Sequence, residues 1–286
     1  MPDHKLKQAI IQSIGEKTKH YFVELVTKGN SAILLALTKL SLANPESKIY
    51  GPKEGGWLTY PKYAKALGKE YITIETTDAT LNLDDLQAKL SAAPPKSIFI
   101  YHSLGGYVAK QPIEQIYNIC KERDCHVVMD ACGSFGTNLC DGNYADVMFG
   151  SFGRWKLVDL GRGAFISFKD QELYEQFKPL VSAFPFEGSD EDYEKLLHKL
   201  DSVEERINFL LDKRKEIIEF LDTFDIVHKT SKLGFVVIVK FKNETDRMRI
   251  LKYCTTHSLE YTDCPREIRI LDNAISIEVK RLSSDR

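Results

Sequence analysis

Between residues 71 and 168, short apolar stretches alternate with amphipathic ones, and few folds accommodate that order. YITIET (71–76), SIFIY (97–101), HVVMD (126–130) and ADVMFGS (145–151) are rich in β-branched and aromatic residues and read as strands. Helical stretches separate them. LDDLQAKL follows Asn82, which can cap it, and carries acids in its first turn. PIEQIYNICKERD (112–124) opens on a proline, which suits a helix start. Upstream, SAILLALTKLSL (31–42) is helical with apolar residues on most faces, and GGW (55–57) is expected to open another helix. Strands alternating with helices predict an α/β fold, a mostly parallel sheet with helices on both faces.

The pattern changes after about residue 170. Charged helical sequence runs from Glu172 to Phe224. LGFVVIVKF (233–241), a helix near 244–257 and short strands near 268–271 and 274–280 follow. The expected division is therefore a large α/β domain over 1–170, then linking helices and a small α+β C-terminal domain over 171–286. With 286 residues, 43% of them hydrophobic, the chain can bury a sizeable core. A net charge of −2 provides no basic footprint, so no nucleic-acid partner is expected. MPDHKLKQAIIQSIGEK lacks the apolar core of a signal peptide, and no apolar run approaches a membrane span. A soluble cytoplasmic protein is expected. Six cysteines occur without a CxxC pair, which argues for reduced thiols rather than a zinc ribbon. No metal site is expected.

In open α/β sheets, ligands bind beyond the carboxyl ends of the strands. Four features fall there. KGNSAILLAL (28–37) places Gly29, Asn30 and Ser31 at a helix start, where free N–H groups and the positive helix end favour a phosphate. Taken alone it also fits an ordinary capped helix. Asp130 ends the strand HVVMD and can bind a metal, pair with a cation or cap a turn. Ser151 ends the next strand, where serines often cap turns. Lys156 lies in the loop of GSFGRWKLVDLGRGAF (150–165), and burying it is costly unless it has a task. Taken together, they suit an aromatic cation with a phosphate at one end and an aldehyde at the other. Lys156 would form a Schiff base with the aldehyde, its pKa lowered by a desolvated cationic site. Asp130 would keep a pyridine nitrogen protonated, and Trp57 could stack on the ring.

Here the sequence resembles fold-type I pyridoxal-phosphate enzymes, the aspartate-aminotransferase superfamily, and most closely their DegT/StrS-like sugar-aminotransferase branch. GNSAILLAL is similar to the family's phosphate loop and helix, MDACGSFG to its strand-ending Asp-Ala segment, and GSFGRWKLVDLGRGAF to its Ser-Phe-(three residues)-Lys segment followed by Leu-Gly-x-Gly. The resemblance covers roughly 25–170. It implies pyridoxal 5′-phosphate as cofactor, Lys156 as its covalent lysine and Asp130 on the pyridine nitrogen. It also implies Trp57 on the ring face and Ser151 on the phosphate. Homodimers with active sites at the interface, and small-molecule amino donors and acceptors, follow from the same resemblance.

Where the family often has glutamine or histidine after the aspartate, this chain has Cys132, Gly133 and Ser134. His102 or Ser103 would then replace the missing contact to the ring hydroxyl. Arg154, Arg266 and Arg269 are candidates for a substrate carboxylate. Transamination of an amino acid or amino sugar is the leading expectation. Alternatives are other reactions of the cofactor (cysteine desulfuration, lyase or decarboxylase chemistry, β-replacement on an aminoacyl-tRNA) and a non-catalytic cofactor-binding relative.

Overall fold

The computed structural model describes residues 4–283. Helix α1 (His4–Thr18) leads to β1 (Phe22–Val26), α2 (Gly29–Ser41), β2 (Ile49–Pro52), α3 (Thr59–Ala66) and β3 (Tyr71–Ile74). A short ribbon, β4 (Thr76–Thr77) and β5 (Thr80–Leu81), precedes α4 (Leu83–Ser91) and β6 (Ile98–His102). A second ribbon, β7 (Leu104–Gly105) and β8 (Ala109–Lys110), is followed by α5 (Ile113–Lys121), β9 (His126–Asp130), β10 (Val147–Ser151) and β11 (Ala164–Phe168). Then come α6 (Gln171–Val181), α7 (Asp190–Asp201), α8 (Val203–Phe220), β12 (Asp225–Ile226), β13 (Val237–Lys240), α9 (Glu244–Thr256), β14 (Tyr261–Cys264) and β15 (Ala274–Ile277).

The large sheet has seven strands in the order β1-β11-β10-β9-β6-β2-β3. From β10 to β3 every pairing is parallel, while β11 runs antiparallel to both its neighbours. Side chains alternate between the two faces along each strand. Phe99, Tyr101, Val127, Met129 and Met148 join one apolar core, together with Leu86 of α4 and Ile116 of α5. Ile98, Ile100, Val128, Val147 and Phe149 join the other, together with Ile33, Leu37 and Leu40 of α2. Both faces are therefore covered by helices, as expected for near-continuous apolar parallel strands. Asn82 caps α4, its Oδ1 accepting the Asp85 N–H at 3.1 Å.

The C-terminal strands form a separate antiparallel sheet, β12-β13-β15-β14, with α9 against β15. Two local expectations are corrected. GGW does not open a helix: Gly55 has φ +80° and its N–H donates to the Glu267 carbonyl at 2.6 Å, so α3 starts only at Thr59. The strand expected near 268–271 lies instead at Tyr261–Cys264. Residues 265–271 form a loop docked on the large sheet's rim. Buried Glu54 ties it there, accepting N–H groups from both Leu271 (2.6 Å) and Ala79 (2.8 Å). Among the described residues, no helix is long and apolar enough to cross a membrane.

Candidate active site

Parallel pairing brings several strand ends to one rim. His102 pairs with Asp130, and Asp130 with Phe149, so β6, β9 and β10 end together. The chain leaves β10 at Ser151, loops through Lys156 and returns in β11. A bridge between Lys28 and Gly163 sets the start of α2 beside that loop. The result is a cavity of about 220 Å³. Gly29, Asn30, Trp57 and His102 line it, as do Asp130, Ser151 and Lys156. Seven of the residues singled out in the sequence, separated by as many as 127 positions, thus share one space.

One wall is the N-terminus of α2. No side chain caps it, and Lys28 at the cap position is extended. Its first N–H groups lack intrahelical partners by geometry, and the helix dipole adds positive potential there. A Cβ on Gly29 would come within 3.1 Å of the Ser151 Cβ, so the close approach of helix to strand end leaves little room for a side chain here. Asn30 accepts the Trp57 indole N–H at 2.9 Å, which fixes the ring over the cavity.

The floor is Asp130, 3% exposed. Its Oδ2 accepts the Tyr60 hydroxyl at 2.6 Å and its Oδ1 the Cys132 N–H at 2.8 Å. Burial, then the nearby Asp130 charge, pushes the Tyr60 phenol well above its ordinary value, so it stays protonated and donates. Among the described residues, the one ion-pair contact of Asp130 is His102 Nε2 at 3.9 Å. Burial pushes the His102 imidazole down, and its Nδ1–H donates to the Leu104 carbonyl at 2.5 Å. Asp130 therefore rests on neutral donors and has acceptor capacity left for the cavity.

Lys156 Nζ donates to the Tyr107 hydroxyl at 2.5 Å and sits 5.5 Å from the Trp57 ring centroid. The expectation of a lowered pKa is corrected. Burial does disfavour the ammonium, but Tyr107, Cys132 and Asp130 surround it and raise its pKa above the ordinary lysine value. Asp130 is the one carboxylate among the described residues lining the cavity, and burial keeps the Tyr107 phenol and the Cys132 thiol protonated.

Other expected residues lie elsewhere. The Ser31 hydroxyl is bonded to Thr27 at 2.9 Å and does not line the cavity. Ser103 is fully buried and bonded to Ser134 at 2.5 Å, turned away from the cavity. Arg154 is exposed and stacks on Trp155 at 5.2 Å, and Arg266 is also exposed. Arg269 is 2% exposed and locked in a bidentate pair with Glu278 (3.0 and 2.7 Å), so its guanidinium is not free for a substrate acid. Sequence reasoning missed Tyr60, Tyr107 and the docked loop's Ile268. Tyr60 and Tyr107 carry no motif. Tyr107 has φ +66°, which a sequence pattern does not reveal.

No curated protein sequence matches the chain. Solved structures do, at identities that establish the fold alone. The aminotransferase TlmJ from Streptoalloteichus hindustanus is 16% identical, with TM-score 0.76, covering 98% of this chain and 87% of that one. The sugar aminotransferase CalS13 from Micromonospora echinospora is 15% identical, with TM-score 0.72, covering 99% and 89%. A 3-amino-5-hydroxybenzoic acid synthase is 16% identical, with TM-score 0.74, covering 96% and 85%. The family model for DegT/DnrJ/EryC1/StrS aminotransferases matches residues 6–210. The residues present fit the cofactor of that family. An uncapped helix end suits its phosphate, a buried carboxylate with no lysine or arginine ion-pair partner among the described residues suits its ring nitrogen, and a lysine amine enters the same cavity. The chain belongs to the DegT/DnrJ/EryC1/StrS aminotransferase family, whose enzymes are pyridoxal-phosphate-dependent transferases.

Proposed function

We propose that the protein moves an amino group between an amino acid and a carbonyl carbon of a sugar or similar polyol, with Lys156 as the covalent lysine. The observation that carries this reading is one cavity holding Lys156 between Asp130 and the open end of α2. Pyridoxal phosphate, when bound, supplies an aldehyde and a ring that withdraws electrons from the substrate carbon attached to its nitrogen. Asp130 would hold the ring nitrogen's proton, with Tyr60 and the Cys132 N–H fixing its carboxylate. Gly29, Asn30, Ser151 and the α2 dipole would hold the phosphate. Trp57 would cover the ring and exclude water. The Lys156 amine, once it has lost its proton, would collect and return protons at the substrate carbon.

A sugar-type acceptor is favoured because no arginine is among the described residues lining the cavity, whose walls include Trp57, Phe149, Ile33 and Ile268. CalS13, named as a sugar aminotransferase, has the same fold. Desulfuration is disfavoured: Cys254 and Cys264 are buried, and burial raises the thiol of Cys132, the cysteine that lines the cavity. The same proposal includes a homodimer, supported by Trp155, a 38% exposed indole one residue from Lys156. It includes a cytoplasmic setting, which suits six unpaired cysteines. It also includes the division into a cofactor-binding part over 1–170 and a part over 171–286.

The test is the visible spectrum of the purified protein with pyridoxal phosphate, then borohydride reduction and peptide mapping. A coloured protein with the pyridoxyl group on Lys156, bleached by an amino acid and restored by a keto sugar, is the expected outcome. A colourless protein with unmodified Lys156 would end the reading.

A further inference from the structure

In the turn after Asp130, Cys132 lines the cavity with a thiol pushed up by burial, and Gly133 has no side chain to meet a ligand beside the Lys156 amine. A Cβ placed on Gly133 would lie 2.6 Å from His102 Cε1 and 2.9 Å from Tyr107 Cδ1. The imidazole and the phenol ring already occupy that space. Neither earlier candidate serves it either: the Nδ1–H of His102 is committed to Leu104, and Ser103 is bonded to Ser134. The group that does reach the amine is the Tyr107 hydroxyl. Its oxygen accepts the Lys156 N–H, so its own hydrogen is not used in that contact. Among the described residues, no acceptor is hydrogen-bonded to it.

The Tyr107 ring is held by the C-terminal unit. The Phe235 N–H donates to the Tyr107 carbonyl at 2.8 Å, and Tyr107 packs in an apolar cluster with Val236, Ile238 and Ile270. Two cations of that unit face its ring, Lys280 at 4.9 Å and Arg269 at 5.1 Å from the centroid. Both pair with buried Glu278.

We propose that Tyr107 positions the Lys156 amine and donates its phenolic hydrogen to the cofactor's ring oxygen, the oxygen ortho to the aldehyde, and that the C-terminal unit holds it in place. The inference rests on the cofactor reading above. A lysine nitrogen bonded to the aldehyde carbon is two carbons away from the carbon bearing that ring oxygen, so nitrogen and oxygen face each other across a six-membered hydrogen-bonded ring. A donor in contact with the amine is therefore placed to reach it. Tyr107 is a positioning residue for Lys156 and a donor to the bound ring.

The test uses two pH titrations of the full chain and of Tyr107→Phe, which keeps the ring and removes the hydroxyl. With pyridoxal phosphate bound, the visible absorption change is followed against pH. Loss of a donor to the ring oxygen leaves more negative charge there to retain the neighbouring proton. The midpoint should rise by about one pH unit. Without cofactor, acetylation of Lys156 by acetic anhydride is followed by peptide mapping. Loss of the acceptor at 2.5 Å should move the onset of labelling to lower pH. Lys280→Met, which removes a cation facing the ring, should raise the visible midpoint by a smaller amount. A wild-type chain that stays colourless overturns the cofactor reading together with this one. A coloured wild type whose midpoints both stay unmoved in Tyr107→Phe overturns the role of Tyr107 alone. Movement of the labelling onset without the visible midpoint overturns the donor half.

Discussion

Asp130 and Glu278 are both buried carboxylates, 3% and 2% exposed, yet they are treated in opposite ways. Glu278 is saturated with charge: Arg269 at 2.7 Å, Lys280 at 3.4 Å and Arg281 at 3.9 Å surround it. Despite burial, which alone would raise it, those cations bring its pKa down to about 2. Asp130 sits at the end of β9 against a tyrosine hydroxyl, a backbone N–H and a neutral histidine. A carboxylate whose counter-charge is built in serves the fold. One whose counter-charge is left out is available to a cationic ligand. Burial alone does not separate the two, because each is costly to bury unpaired.

The largest expected effect is at Lys156. Lys156→Ala should give no pyridoxyl peptide after borohydride and bring amino transfer down to background in a kinetic assay. Residual covalent labelling elsewhere in the chain would break the assignment. Asp130→Asn comes next. It keeps the shape of the side chain and removes the charge, so kcat should fall by roughly 10²–10³-fold while the cofactor still binds. Unchanged kcat would put Asp130 in the same structural class as Glu278. For Glu278→Ala the expected cost is stability, about 3–5 kcal/mol in denaturant unfolding, because Arg269 and Lys280 are left buried and unpaired.

Glu278 also makes a pH prediction. Its folded pKa lies below the unfolded one, so its contribution is present above the usual glutamate range and is lost as pH falls from about 4.5 toward about 2. Glu278→Gln should flatten stability over that window, as read by thermal melts at successive pH values. Smallest is Tyr60→Phe, with about 1.5–3 kcal/mol lost from the hydrogen bond to the Asp130 carboxylate. It should weaken cofactor binding measured by fluorescence quenching and leave the melting of the C-terminal sheet unaffected. A fall in stability with unchanged cofactor affinity would mean that Tyr60 supports packing rather than Asp130.

Much of the large sheet was legible because its signals are local. HVVMD and SIFIY are short apolar runs, and Asn82 with its acidic neighbours marks a helix start that the structure reproduces. The docked loop was not legible in the same way. EIRI at 267–270 alternates polar and apolar residues like a strand. Arg269 nevertheless turns inward because Glu278, nine residues later, is buried beside it. Likewise GGW carried a helix expectation that failed because Gly55 is needed for a close contact with Glu267 from the far end of the chain.

The sequence by itself determined the α/β class, the placing of Asp130 at a strand end and of Lys156 in the loop beyond the next one, and the family resemblance. Each of these depends on residues within one strand, turn or helix. Only the tertiary structure decided that Tyr60 supports Asp130 and that Tyr107 holds Lys156. It also showed that Arg269 is committed to Glu278, and that a loop more than two hundred residues from Glu54 closes the cavity's rim. Those are pairings between segments far apart in the chain. The energy of such a pair depends on distance and burial, and neither quantity is written in the local order of residues.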